Sequence, residues 1–248
     1  MGEAIHFPGV YIQPDFINDE EKEQLLEGMN HESWDLSQSG RRKQNYGPKC
    51  NFKKKKIVKR NFVGFPQYSK FLVDKFNKLR ILKDYHVIEQ CSLEYDPEKG
   101  ASIDPHIDDC WIWGERIVTV NVLGDTYLTM TKFIGDKKKY NLEQIADYSP
   151  VLDTQGNPVE HSDESCETYL NKYLNCDSNP IVRIYMPEKS LIILYGPARY
   201  QWEHCVLRED VTSKRLCLAY REFTPPYLPG GKHENIGKEI LQLSNSYW

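Results

Sequence analysis

Six stretches decide the fold: HVIEQCSLEY (86–95), RIVTVNVLG (116–124), TYLTMTKF (126–133), VRIYMPE (182–188), SLIILYG (190–196) and RLCLAYREF (215–223). Each is short, rich in β-branched and aromatic residues, and bounded by Gly, Pro or Asp, which predicts a strand. Upstream of them FPGVYIQPDF (7–16) reads as a short strand and turn, and two helices follow. Asn18 or Asp19 can cap the first, over about 20–29, with Leu25, Leu26 and Met29 on one face. The second covers about 67–78, with Phe71, Leu72 and Phe76 inward. A run of strands after two helices predicts an α+β protein with a sandwich or barrel core.

Around that frame the composition is ordinary. Hydrophobic residues make up 40% and aromatics 12%, which excludes a disordered chain. With 248 residues the expectation is one domain over 1–248 with its own core. The formal net charge of −4 gives no bulk attraction to nucleic acid or an anionic membrane, although a local patch can supply one. The seven cysteines are odd in number, widely spaced and without a CxxC pair, so neither a disulfide framework nor a zinc ribbon is expected. The opening MGEAIHFPGV lacks the basic start and apolar run of a signal peptide. No stretch approaches the roughly 20 apolar residues that cross a bilayer. The expected address is intracellular, in cytoplasm or nucleus, with no membrane partner and a monomeric chain.

Two segments depart from the average. Positions 36–73 hold no acidic residue and eleven basic ones, among them Arg41, Arg42, Lys43 and the run 53–56, with Tyr46, Phe52, Phe62 and Phe65 interleaved. Positions 136–180 hold nine acidic and four basic residues and few apolar clusters, which predicts a surface insertion, helical near 167–174.

The chemistry starts at DPHIDD (104–109). His106 and Asp108 stand two apart, and on a strand or its exit such side chains point the same way. Alone this is weak evidence, because a surface turn with a solvated histidine gives the same letters. Downstream, SLIILYG runs into GPARYQWEH, placing His204 eight residues after Gly196. Two histidines and one carboxylate on one face of a metal leave open positions, the arrangement of non-haem Fe(II) oxygenases. Zinc accepts the same ligands. RLCLAYR bears on the choice: Arg215 and Arg221 are six apart on a strand, so both face one side among apolar neighbours. A guanidinium inside a barrel needs an anionic partner, and a small dicarboxylate supplies one through a bidentate pair. An edge strand with two solvated arginines is the alternative.

In their order, HxD, then G-x-A-R-x-x-W-x-H, then R-x₅-R, these motifs resemble the AlkB family of dioxygenases. WDLSQSGRRKQNYGPK (34–49), EQCSLEYDPEKGASIDPHIDDCWIWGERIV (89–118) and the block 196–223 are similar to its homologue-four branch, and the similarity spans about 7–241. The resemblance implies a double-stranded β-helix (jelly roll, cupin-like) core with the N-terminal helices packed on it. It implies Fe(II) on His106, Asp108 and His204, with 2-oxoglutarate and O₂ as cosubstrates. It implies Arg215 on the distal carboxylate of 2-oxoglutarate, Arg221 near the metal and the other carboxylate, and a Tyr95 hydroxyl on the same molecule. Relatives often carry Asn where this chain has Leu93, and the insertion at 136–180 lengthens the spacing from His106 to His204.

The implied reaction is oxidative N-demethylation with release of formaldehyde. The implied substrate is methyl-lysine in a protein, with actin as partner; N6-methyladenine in DNA is the alternative, and an inactive binding scaffold a second one, which an intact triad and both arginines oppose. The basic segment, about 36–66, falls where relatives form a substrate lid. Its cations and aromatics, Arg41, Arg42 and Tyr46 among them, suit a phosphate backbone with stacked bases or an acidic protein surface; a solvated loop is the plain alternative. Trp111 and Trp113 can hold a methylammonium by cation–π contact, or simply pack.

Overall fold

The computed structural model describes residues 7–147 and 181–248. The chain opens with β1 (Val10–Gln13) and enters α1 (Asp19–His31) through a capping box. There the Asn18 side chain accepts from the Glu21 backbone N–H, while the Asn18 N–H donates to the Glu21 carboxylate. Leu25 and Met29 of this helix are fully buried. Then come β2 (Asp35–Leu36), β3 (Arg42–Tyr46), the hairpin β4 (Lys49–Asn51) and β5 (Lys56–Val58), and α2 (Lys70–Phe76). The remaining elements are β6 (Glu89–Tyr95), β7 (Ile103–His106), β8 (Trp113–Leu123), β9 (Thr126–Lys132), β10 (Ile181–Met186), β11 (Ser190–Leu194), α3 (Gly196–Tyr200), β12 (Trp202–Val206), β13 (Arg215–Phe223) and α4 (Glu234–Leu243).

Apart from the two-stranded β4–β5 hairpin, the strands form two antiparallel sheets. The larger runs β1-β11-β8-β13-β6-β3-β2 and the smaller β10-β9-β12-β7, so consecutive strands repeatedly cross from one sheet to the other, as in a jelly roll. Two crossings are short: Gly124 and Asp125 join β8 to β9, with Gly124 at φ +77°, a value that glycine adopts without cost, and residues 187–189 join β10 to β11.

Period two sorts the two faces of the larger sheet. On β13, Arg215, Cys217, Ala219 and Arg221 point into the space between the sheets. Leu216, Leu218 and Tyr220 point outward and are also buried, because the helices cover that face. Phe76 of α2 meets Tyr220 edge-on at 5.2 Å and stacks on Phe16 at 5.9 Å. Gln44 on β3 donates to the Met29 carbonyl at 2.7 Å, tying α1 to the sheet. The α+β jelly roll with helices packed on it is therefore the observed architecture. Burying both faces explains why these strands read as near-continuous apolar runs.

Two segments sit differently from a plain lid and insertion. The first part of the basic stretch is β3, which lies in the larger sheet between β6 and the two-residue edge strand β2, and the exposed hairpin β4–β5 follows it. Of the acidic segment, 136–147 form two short 3₁₀ turns, while 148–180, with the helix expected near 167–174, lie outside the described residues. The five described cysteines form no disulfide with one another. Among the described residues no helix is long and apolar enough to cross a membrane.

Candidate metal centre and cosubstrate chamber

Register builds the site. β7 and β12 are neighbours in the smaller sheet, and His204 lies directly opposite His106. Their rings approach to 4.3 Å between centroids. Asp108 follows two residues after the end of β7, and its carboxylate comes within 3.5 Å of His204 Nε2. One donor atom from each of His106, Asp108 and His204 fits within 4.8 Å of the others, the only such cluster among the described residues.

Each donor is held in a state suited to a cation. His106 Nδ1 faces the Asp104 carbonyl at 2.8 Å; a carbonyl only accepts, so Nδ1 carries a proton and Nε2 is the nitrogen left to face a metal. Burial, with His106 adding to it, pushes His204 down to about 3, so its imidazole is neutral at pH 7 and the approach to Asp108 is not an ion pair. Burial works to raise the Asp108 carboxyl, but Arg221, His106, His204 and Arg199 together outweigh it and hold the group well below the usual carboxylate range. Arg221 Nε donates to Asp108 Oδ1 at 2.6 Å. The other oxygen, Oδ2, is buried and has no hydrogen-bond partner among the described residues. An ionised, buried, unpartnered oxygen between two histidine rings is costly by itself and fits a divalent metal.

β13 and β6 pair so that Arg215 lies opposite Tyr95 and Arg221 opposite Glu89. The two arginines therefore have different surroundings. Arg221 divides its guanidinium between Asp108 and Glu89, the latter at 2.7 Å from Nη1, and Trp113 lies 5.4 Å away. Arg215 is 2% exposed and faces no carboxylate. Its Nε donates to Asn121 Oδ1 at 2.8 Å and its plane lies 4.8 Å over the Tyr95 ring, while the described residues give its terminal nitrogens no acceptor. Asn121 is fixed in turn by donating to the carbonyls of Gly124, Met186 and Pro187. The chamber between the sheets is lined by Arg215, Tyr95 and the metal cluster, with apolar walls that include Ile117, Leu128 and Ile192.

Comparison with known proteins identifies this arrangement. Alpha-ketoglutarate-dependent dioxygenase alkB homolog 4 of Mus musculus is 37% identical over 246 residues, 99% of this chain and 78% of that protein. The Homo sapiens protein of the same name is 36% identical over 246 residues, 99% of this chain and 77% of that one. The chain belongs to the AlkB family, in its homolog 4 branch. A DNA N6-methyl adenine demethylase of Caenorhabditis elegans is 29% identical over 245 residues, 98% of this chain and 69% of that protein. No family model matches the chain. Membership of the AlkB family makes the protein a 2-oxoglutarate-dependent dioxygenase of the oxidative demethylase type.

The remaining sequence candidates of this AlkB chain are scattered around the site. Trp111 and Trp113 are both 4% exposed; Trp111 packs between Phe52 and Tyr227, and Trp113 against Arg221. Arg42 is committed to Glu94 through two bonds of 2.7 and 2.8 Å and stacks on Trp34. Arg41 is buried with Nε on the Gln38 carbonyl, 5.7 Å over the Tyr95 ring. Tyr46 lines a second, open cavity beneath the basic hairpin.

Three site residues escaped the sequence reading. Asn121 is the polar interruption in RIVTVNVLG, and Glu89 stands six before Tyr95 as Arg221 stands six after Arg215. Arg199 is 2% exposed and donates to three backbone carbonyls, Asp108 at 2.7 Å, Trp113 at 2.9 Å and Gly114 at 3.0 Å. It ties the loop carrying Asp108 to α3, the element that delivers His204.

Proposed function

We propose that this AlkB-family enzyme removes N-methyl groups from lysine side chains of a protein, holding Fe(II) on His106, Asp108 and His204 and 2-oxoglutarate on Arg215. The observation that carries the metal assignment is the unpartnered Asp108 Oδ2, ionised and buried beside the His106 and His204 rings. When bound, Fe(II), 2-oxoglutarate and O₂ supply the oxidising power that hydroxylates the methyl carbon, and the resulting N-hydroxymethyl group collapses to amine and formaldehyde.

The protein positions these groups and excludes water. Arg221 occupies Oδ1 and leaves Oδ2 for the metal. Arg215, locked by Asn121 and the Tyr95 ring, presents two parallel N–H donors to a dicarboxylate entering the apolar chamber. The second cavity, with its rim of cations, suits an acidic protein face such as that of actin, the partner implied by the family resemblance. The C. elegans relative favours a second reading, N6-methyladenine in DNA, which the same cations would hold by phosphate contacts.

The test is formaldehyde release measured side by side on a monomethyl-lysine peptide, methylated actin and N6-methylated DNA. Release from DNA alone overturns the protein reading. Replacing His106, Asp108 or His204 with Ala abolishes succinate formation while the fold persists; succinate formed at the parent rate refutes the metal assignment.

A further inference from the structure

β7 ends at His106, and residues 107–112, which carry Asp108, belong to no strand or helix. A ligand on such a stretch has no ladder of backbone hydrogen bonds to fix it, so its place is set by whatever grips the chain around it. Arg199 takes the carbonyls of Asp108, Trp113 and Gly114. The two residues that follow Asp108 are taken by a different part of the chain, the first of the 3₁₀ turns after β9 and the residue that ends it. The Cys110 N–H donates to the Tyr140 carbonyl at 2.9 Å, and the Asn141 side-chain amide donates to Asp109 Oδ1 at 2.6 Å. Asn141 reaches it from the left-handed conformation, at φ +57°, which Asn adopts more readily than most residues with a Cβ.

The same turn grips the second ligand strand. The Tyr140 hydroxyl donates to Glu203 Oε1 at 2.5 Å, and Lys139 Nζ approaches that oxygen at 3.0 Å. Glu203 immediately precedes His204. Upstream, the Phe133 N–H donates to the Gln201 carbonyl at 2.8 Å, so the chain leaving β9 stays beside β12. Tyr140 thus holds one ligand element with its carbonyl and the other with its hydroxyl. Packing follows the same pattern. Ile107, Cys110, Tyr140, Leu142 and Tyr200 form a buried cluster of their own, apart from the main core. Ile107 and Cys110 flank Asp108, and Tyr200 ends α3, which leads into β12. The start of the stretch that the sequence reads as a surface insertion therefore packs against the metal loop.

We infer that Tyr140 and Asn141 are positioning residues of the metal centre, holding the Asp108 loop and the His204 strand at the separation that lets one ion engage both. The inference rests on the assignment of the metal to His106, Asp108 and His204, and it adds two residues that contact the neighbours of those ligands.

The experiment titrates Mn(II) into the whole metal-free chain for wild type, Tyr140→Phe, Asn141→Gly and the double variant. It also records the paramagnetic resonance spectrum of the bound Mn(II) and the unfolding midpoint of the metal-free protein. Phenylalanine keeps the ring in its cluster and glycine keeps the left-handed backbone, so each change removes one hydrogen bond and little packing. Mn(II) affinity falls about tenfold in each single variant and further in the double one, and the Mn(II) spectrum broadens as the ligand geometry loosens. Leu25→Ala, a core truncation in α1, is the control: it lowers the unfolding midpoint and leaves Mn(II) affinity within about twofold of wild type. Unaltered affinity and spectrum in both Tyr140→Phe and Asn141→Gly overturn the inference, whether or not the double variant folds. Leu25→Ala weakening Mn(II) binding as much as they do overturns it too, because the loss would then follow stability alone. The metal assignment fails separately. No Mn(II) binding by wild type, or binding that survives in His106→Ala, defeats the assignment, whereas binding lost in His106→Ala and unaltered in the Tyr140 and Asn141 variants defeats the positioning role alone.

Discussion

Replacing Arg199 with Met tests whether a buried guanidinium, rather than apolar packing, holds the metal-binding loop in place. Methionine keeps much of the chain length and removes all three donors. Hydrogen bonds from a charged group contribute about 1.5–3 kcal/mol each. Three of them, to the carbonyls of Asp108, Trp113 and Gly114, sum to about 4–9 kcal/mol. Part of that is offset, since burying the guanidinium costs several kcal/mol that the variant no longer bears. The expected net loss is about 3–5 kcal/mol, a large share of the roughly 5–15 kcal/mol of a typical native state. In a chain of this size it lowers Tm by about 6–20 °C. Metal affinity falls as well, by about 10- to 100-fold, because the loop bearing Asp108 is no longer fixed relative to β12 and His204. Denaturant unfolding of metal-free protein gives the first quantity and titration with Fe(II) or Mn(II) the second. Arg199→Lys, which can reach one carbonyl at a time, falls between. An unfolding free energy within about 0.5 kcal/mol of wild type, with unaltered metal affinity, would refute the reasoning.

The other predictions use separate parts of the site. Arg215→Ala raises the 2-oxoglutarate concentration needed for half-maximal turnover at least tenfold, because it removes one side of a charge-assisted pair; an unchanged requirement defeats that role. Burial pushes Glu115 up to about 7 from the usual 4.5. The folded carboxyl thus keeps its proton after the unfolded one has lost it, and stability drains away as pH rises from about 4.5 through 7, by about 3 kcal/mol in total. Glu115→Gln lacks this component, so its stability relative to wild type is higher at pH 8 than at pH 5; a difference independent of pH is the contrary result. Replacing Lys53, Lys54, Lys55 and Lys56 with Gln weakens partner binding and flattens its salt dependence, on DNA by about one unit of slope per lysine engaged. Identical affinities for acidic protein and DNA would remove the hairpin from the interface.

The strands were legible because burial on both faces leaves long β-branched and aromatic runs that few other structures need. The first helix was legible because Asn18 with Glu21 is a local signal that requires no tertiary contact. α3 was not: five residues are too few for a 3.6-residue period to appear, and its Arg199 reads like any surface arginine until its three carbonyls are in place. β3 was hidden for the opposite reason. RKQNY is polar and charged, with no apolar alternation, and its pairing to β6 depends on a partner 44 or more residues away. The metal cluster was visible as spacing, but the choice of Oδ2 as the free oxygen depends on which atom Arg221 takes, and no spacing encodes that.

The pair of arginines shows how far a symmetrical pattern can diverge once folded. In sequence, Arg215 and Arg221 are equivalent, same face and same strand. In space, the antiparallel register opposes one to a phenol and the other to a carboxylate. Arg221, with Glu89 on one side and Asp108 on the other, has its charge already matched, so an incoming dianion gains little from it. Arg215 is buried without a carboxylate, held by a neutral amide and an aromatic face, and carries the uncompensated positive charge of the chamber. The cost of leaving a guanidinium in that state is what a dicarboxylate recovers on entering.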